Sequence, residues 1–194
     1  MLLGKISDIK SGLVLIRKKA NIKYEIKETY NLITIKNIDD DGELNNEPYD
    51  LFESNDTLDS SYFTEEYDIL LRLNHPNTAV FIDKQHIGLL VPSYFAIIKI
   101  TSNKFLPEYV AWYLNSDNVK NELLKSQTGT YIPSTNKSVL NSIDIKLLTL
   151  EEQRNIIKFK NLYIKEQELL KNLMKEKNKH YKAIVQKILN MKTS

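Results

Sequence analysis

Apolar positions along this chain follow two different rhythms, and the change falls near residue 150. Before it, apolar residues come in short bursts bounded by Asn, Asp, Pro or Gly, the pattern of short strands joined by turns. Five bursts predict strands: 31–36 (NLITIK), 68–73 (DILLRL), 78–83 (TAVFID), 95–101 (FAIIKIT) and 143–148 (IDIKLL). Pro107 predicts a helix start, with Glu108 in the first turn and Val110, Ala111 and Leu114 on one face. A second short helix carries Val119, Leu123 and Leu124. Residues 39–61 hold few apolar residues and many acids, which predicts a loop or edge excursion of unusual length.

After residue 148 the rhythm is helical. Thr149-Leu-Glu-Glu152 is a capping box, and no Pro or Gly follows as far as Asn190. Ile156, Phe159, Leu162/Tyr163, Leu169/Leu170, Leu173/Met174, Tyr181, Ile184/Val185 and Ile188 recur in steps of three and four. They form one stripe on a helix of about forty residues, roughly 60 Å long at about 1.5 Å per residue. The stripe breaks near 175–179, which makes any coiled coil imperfect there. A compact domain of about 150 residues cannot cover such a stripe, so it calls for a second helix from the chain's own continuation or from another chain. The alternative is a terminal helix folded back on its own domain. The fold class is therefore α/β (α+β), a domain of short mixed strands over 1–148 followed by a long C-terminal coiled-coil helix over 149–194.

Composition narrows the class. The chain has 194 residues and is 42% hydrophobic with 11 Tyr and 6 Phe, which indicates a globular protein with a core. The absence of cysteine excludes a disulfide framework and a thiolate metal site. The opening MLLGKISDIK lacks the apolar run of a signal peptide, and no stretch approaches eighteen apolar residues, so the expectation is a soluble, cytoplasmic protein without membrane contact. On that expectation the sequons Asn55-Asp-Thr57 and Asn136-Lys-Ser138 are chance matches. Net charge is +2, but unevenly spread: +5 over 1–36, −12 over 37–71, +3 over 72–150 and +6 over 151–194. Basic stretches flanking an acidic lobe suit a polyanion contacted on one side; they also suit an ordinary solvated surface.

Catalytic constellations are missing. There is no GxxxxGK[ST], GxGxxG or GxSxG. His75, His86 and His180 show no metal-ligand spacing. Asp8-Ile-Lys10, Glu25-Ile-Lys27 and Asp144-Ile-Lys146 match the last element of a metal-dependent nuclease, but three matches in one short chain show how cheap that element is, and no Pro-Asp precedes them. No Pro-Pro occurs, as an amino-methyltransferase tetrapeptide requires. Residues 126–140, SQTGTYIPSTNKSVL, hold a glycine among hydroxyls without a P-loop lysine. They read as a cap and corner: Gly129 for a tight turn, Ser134 or Thr135 capping a helix over 136–140, and Thr130 and Tyr131 free to pack a joint or meet a DNA backbone.

Several segments, in order, resemble the specificity subunit of type I restriction-modification systems. Lys5-Ile-Ser-Asp-Ile-Lys-Ser-Gly12 is similar to the family's opening of a target-recognition domain, and Tyr30 to Lys36 with Asn37-Ile-Asp-Asp to the strand and turn that follow. Glu66-Tyr-Asp-Ile-Leu70 resembles the family's GD-I-L strand, with Glu66-Tyr67 departing from the usual glycine. Phe105 to Asn115, Thr128-Gly-Thr-Tyr-Ile132, the spacing of Leu140, Ile143 and Ile145, and Leu150-Glu-Glu-Gln-Arg154 at the head of the long helix complete the likeness, with Thr149 where the family often has Pro. In that family two recognition domains are joined and spaced by two long antiparallel helices. One domain and one helix imply a half-length subunit that needs a second copy, reading a bipartite and palindromic site with helix length as the ruler.

The resemblance implies double-stranded DNA as ligand, a methyltransferase (modification) subunit docked on the long helix, and a restriction subunit in the full system. It implies no catalysis and no cofactor in this chain; S-adenosylmethionine, Mg²⁺ and ATP belong to the partners. Lys10, Ser11, Gly12, Arg17, Lys18 and Lys19 are the candidate phosphate surface, with the Gly12 backbone approaching closely. Lys36 and Arg72 are candidate readers of base edges, an arginine fork suiting guanine O6 and N7, and Gln85 and His86 could contact adenine or guanine. Ile156, Phe159, Tyr163, Leu170, Leu173, Tyr181, Ile184 and Ile188 are the candidate dimerisation stripe. Two rivals stay open: a coiled-coil module whose domain binds a protein ligand and never DNA, and a degenerate nuclease or methyltransferase domain.

Overall fold

The computed structural model describes residues 1–126 and 134–191. It divides into two compact units, one spanning Met1–Gln153 and the other running from Arg154 on. The elements of the first unit are β1 (Ser7–Ser11), β2 (Glu28–Leu32), β3 (Asp50–Ser54), β4 (Ile69–Arg72), β5 (Ala79–Phe81), β6 (Phe95–Ile100), α1 (Pro107–Leu114), α2 (Asp117–Ser126) and α3 (Lys137–Ser142), linked by short 3-10 turns. Four strands form an antiparallel sheet in the order β1-β6-β4-β5, and β2 and β3 pair as a separate antiparallel ribbon.

The two central strands are buried on both faces, which is why they read as unbroken apolar runs. Leu70 pairs with Ile97 and faces one cluster with Ile33, Val80, Leu89 and Val91. Its neighbours Ile69 and Leu71 point the other way and are equally buried. Helix α1, its Pro at the first turn, buries Tyr109, Val110, Ala111 and Leu114 and packs against β5 and β4. The outer edge of β5 is closed by a side chain acting as a strand: Asn115 Nδ2 donates to Ala79 O (2.7 Å) and its Oδ1 accepts from Ala79 N (2.9 Å). Gly42, at φ +80, crosses so close that a Cβ there would stand 2.3 Å from Ala79 O.

Predicted strands at 68–73, 78–83 and 95–101 appear as β4, β5 and β6, and both predicted helices after Pro107 appear as α1 and α2. The strand predicted at 31–36 is shifted: β2 ends at Leu32, and the chain turns at Thr34. Asn37 is the reason, since its Oδ1 accepts from Thr34 N (2.9 Å) and its Nδ2 donates to Glu47 O (2.9 Å), holding a turn against an extended path. The segment 143–148 forms no strand. Ile143 and Ile145 are buried, but the pairing stops at one bridge between Leu2 and Asp144, and Lys146 O accepts from the Tyr109 hydroxyl (2.9 Å). The acidic stretch read as a loop contains β3. Helix α3 is capped by Asn136, whose Oδ1 accepts from Val139 N (3.1 Å); Thr135 instead is buried and donates its N–H to Leu73 O (2.8 Å).

Helix α4 runs from Leu150 to Met191, 42 residues, or about 63 Å. Its capping box is formed: Glu152 N donates to Thr149 Oγ1 (3.2 Å) and Thr149 N to Glu152 Oε2 (2.8 Å). Gln153 on its first turn is fully buried; Oε1 accepts from Leu106 N (2.8 Å) and Nε2 donates to Lys104 O (2.8 Å) and Leu148 O (2.9 Å). Among the described residues no helix is long and apolar enough to cross a membrane.

Candidate nucleic-acid interface

Strand register places Ser11 opposite Ala96 and Arg72 opposite Phe95, so the ends of β1 and β4 meet at one end of the sheet. From there residues 13–20 form a loop fastened at both feet. At the first, Leu13 N donates to Val91 O (2.7 Å) and Ser93 N to Leu13 O (2.8 Å). At the second, Asn55 N donates to Lys18 O (2.9 Å) and Ala20 N to Glu53 O (3.0 Å). The tip is a 3-10 turn, Leu15–Arg17, on which Ile16 is 85% exposed and Arg17 and Lys19 are exposed around it.

Gly12 is held tightly against the neighbouring strand. Its N–H donates to Phe95 O (3.0 Å), and a Cβ would stand 2.3 Å from Val91 O, so its missing side chain serves strand packing. Lys18 is also committed. Its Nζ lies 2.6 Å from Asp56, and that hydrogen bond and charge hold the Asp56 carboxyl below the usual carboxylate range. Lys27 approaches the same carboxylate at 3.9 Å, and Lys36 pairs with Asp50. Lys10 lies on β1, half-buried, within electrostatic reach of Asp59, whose carboxyl is lowered chiefly by Ser61.

These pairs correct the charge picture drawn from the sequence. The acidic segment is no separate lobe: β3 and its flanks fold onto the basic N-terminal segment, so charges far apart in sequence neutralise one another. Further along, Glu65 lies 2.6 Å and Asp68 3.4 Å from Lys99, and Glu66 lies 3.8 Å from Lys84. Asp68 is almost fully buried, and burial raises its carboxyl against the opposing pull of the Glu65 N–H and Lys99. Among the described residues at this end of the domain, Ser11, Arg17 and Lys19 are exposed and Lys10 is half-buried.

Arg72 closes a small cleft with Ile38, Asp39, Asp40, Pro76 and Thr78. Its Nε is buried without a hydrogen-bond partner. A buried, unpaired guanidinium donor costs free energy unless a ligand or water meets it. Gln85 and His86 lie elsewhere. They follow Phe81, which pairs with Ile69 at the opposite end of the sheet. Asp83 engages both, accepting from Gln85 N (2.9 Å) and lying 2.6 Å from His86 Nδ1. Thr130 and Tyr131, with Gly129, lie outside the described residues. Among the described residues no cluster of three or more His, Asp or Glu side chains could hold a metal ion.

On α4 the apolar stripe is open. Exposure runs from 45% at Ile184 to 73% at Phe159, with Tyr163, Leu170, Leu173, Tyr181 and Ile188 between, while Ile156 is half-buried. The sequence reading missed Gln153 and Ile16. Gln153 belongs to a motif but its three partners are 5, 47 and 49 residues away. Ile16 looks like any apolar residue until the turn exposing it is known.

No family model and no curated protein matches the chain by sequence. Solved structures do match by shape. A chain from work on complex assembly and conformational transition of the type I R-M system superposes with a TM-score of 0.66 at 18% identity, covering 87% of this chain and 43% of that one. The HsdS subunit from Thermoanaerobacter tengcongensis gives 0.65 at 17%, covering 89% and 43%. The S subunit of a type I restriction-modification system from M. genitalium gives 0.52 at 16%, covering 86% and 38%. This chain therefore has the fold of those subunits, a mixed α+β domain followed by a long helix, and spans less than half of their length.

Proposed function

We propose that this chain is a half-length DNA-specificity subunit of a type I restriction-modification system. The observation that carries the reading is the shared fold: 87%, 89% and 86% of this chain superposes on part of each of those subunits. One recognition domain reads one half-site. A second copy, joined through the open stripe of α4, supplies the other half-site and makes the reader bipartite. The chain carries no chemistry of its own. The methyltransferase subunit docks along α4 and brings S-adenosylmethionine; the restriction subunit brings Mg²⁺ and ATP use. Phosphate contact falls to Ser11, Arg17 and Lys19, and Arg72 with its unpaired Nε is the candidate base reader. The reading places the protein in the cytoplasm with its DNA.

The test is methylome sequencing of the source strain with and without the gene. The expected result is loss of one bipartite methylated motif on deletion and its return on complementation. An unchanged methylome together with elution from heparin at low salt would favour the protein-binding rival.

A further inference from the structure

Helix α4 carries a repeat that its heptad-like look conceals. Phe159, Leu170 and Tyr181 stand eleven residues apart, as do Leu162, Leu173 and Ile184, and Tyr163, Met174 and Val185. Eleven residues over three turns give about 3.67 residues per turn, near the 3.6 of a straight helix, so the stripe runs nearly parallel to the axis instead of winding left-handed. A fourth series completes each repeat and falls in the same stripe: Glu166, Lys177, Ile188. The apparent break near 175–179 is Lys177 occupying that place.

Glu166 and Lys177 are both exposed and of opposite charge. Self-pairing in a parallel register would set Glu166 against Glu166 and Lys177 against Lys177, inside an apolar seam. Antiparallel pairing about the midpoint of Lys171 and Asn172 matches the first two apolar series to each other and brings the two opposite charges together. Glu166 then meets the second copy's Lys177 twice, Leu170 meets Leu173, Leu162 meets Tyr181, and Phe159 meets Ile184. Sliding by one repeat in either direction again opposes like charges, Lys177 with Lys177 or Glu166 with Glu166. From this we infer that α4 docks on a second copy of itself in one antiparallel register, selected by two symmetric Glu166–Lys177 pairs. The occupant is argued from charge complementarity and from the self-matching repeat. The inference rests on the half-subunit reading for its premise that two copies meet.

The test uses the full chain and exploits its lack of cysteine. Sedimentation equilibrium reads the dimer constant of the wild type, Glu166→Lys, Lys177→Glu and the double exchange, with circular dichroism confirming helix content. Each single exchange is expected to weaken the dimer by about tenfold or more, and the double exchange to restore it to within about threefold. In parallel, Phe159→Cys mixed with Ile184→Cys should oxidise to a mixed disulfide, while neither alone cross-links, because like positions lie about 38 Å apart in this register. A wild-type dimer whose constant ignores the single exchanges, or a Phe159→Cys chain that links to itself, overturns the register and leaves the half-subunit reading standing. A wild type that stays monomeric at high micromolar concentration overturns both the register and the self-pairing on which it rests.

Discussion

Lys18 and Lys19 are neighbours in sequence and opposites in what they can offer a phosphate. Lys18 is spent on Asp56 at 2.6 Å, whereas Lys19 and Arg17 are exposed beside the tip of a turn fastened at both feet. Log affinity for duplex DNA falls with log salt by about 0.9 for each phosphate neutralised. Arg17→Ala with Lys19→Ala should therefore flatten the salt dependence by about two for each domain engaged, measured by fluorescence anisotropy on a duplex of any sequence. Lys18→Ala should leave the slope nearly unchanged. Equal effects from both variants would remove the distinction drawn from the ion pair. Such differences could not be read from the sequence, because the partner that neutralises Lys18 lies 38 residues away in a segment that looked like a separate acidic lobe. Tyr67 shows the reverse case: it sits at φ +72, a backbone conformation that glycine meets most easily, and nothing in its side chain announces it.

At the scale of elements, legibility followed burial. Strands β4 and β6 are covered on both faces and announce themselves as apolar runs, and α1 and α4 carry their own start signals, Pro107 and the Thr149–Glu152 box. Strands β1 and β3 were missed: β1 forms an edge of the sheet and β3 belongs to the two-stranded ribbon, and polar or charged residues outnumber apolar ones in both. The joint at the start of α4 is the element most dependent on one side chain. Replacing Gln153 with Met keeps its shape but strands one N–H and two carbonyls in a fully buried place. At about 1 kcal/mol or more for each lost partner, the expected loss is about 2–4 kcal/mol in urea unfolding, against little change for Gln167→Met on the outer helix. Gln153→Glu should lose more at pH 7 than at pH 5. A carboxyl buried there has its folded pKa raised above the unfolded value, so the penalty shrinks as pH falls through the folded pKa. A Gln153→Met chain as stable as wild type would show that water replaces the amide.

For the whole molecule the net charge of +2 says little, since charges of both signs are tied up in ion pairs within the domain. Recognition under the proposed function then depends on geometry: two copies of one domain held by a two-fold axis through α4. A two-fold axis relates the half-sites by inversion, so one chain pairing with itself can read only an inverted repeat with fixed spacing. Selection from a random duplex library with the purified full chain should therefore enrich one short half-site twice, in opposite orientations, at a single separation. The same selection with Glu166→Lys, which brings a second lysine against Lys177 in the seam, should enrich the half-site once and without a fixed neighbour. Half-sites repeated head to tail would exclude the two-fold axis, because no rotation that exchanges two identical helices produces them. A single half-site enriched by the wild type, without a fixed neighbour, would mean that the stripe on α4 belongs beside a different chain, and Glu166 and Lys177 would then be the first positions at which to look for that partner's opposite charges.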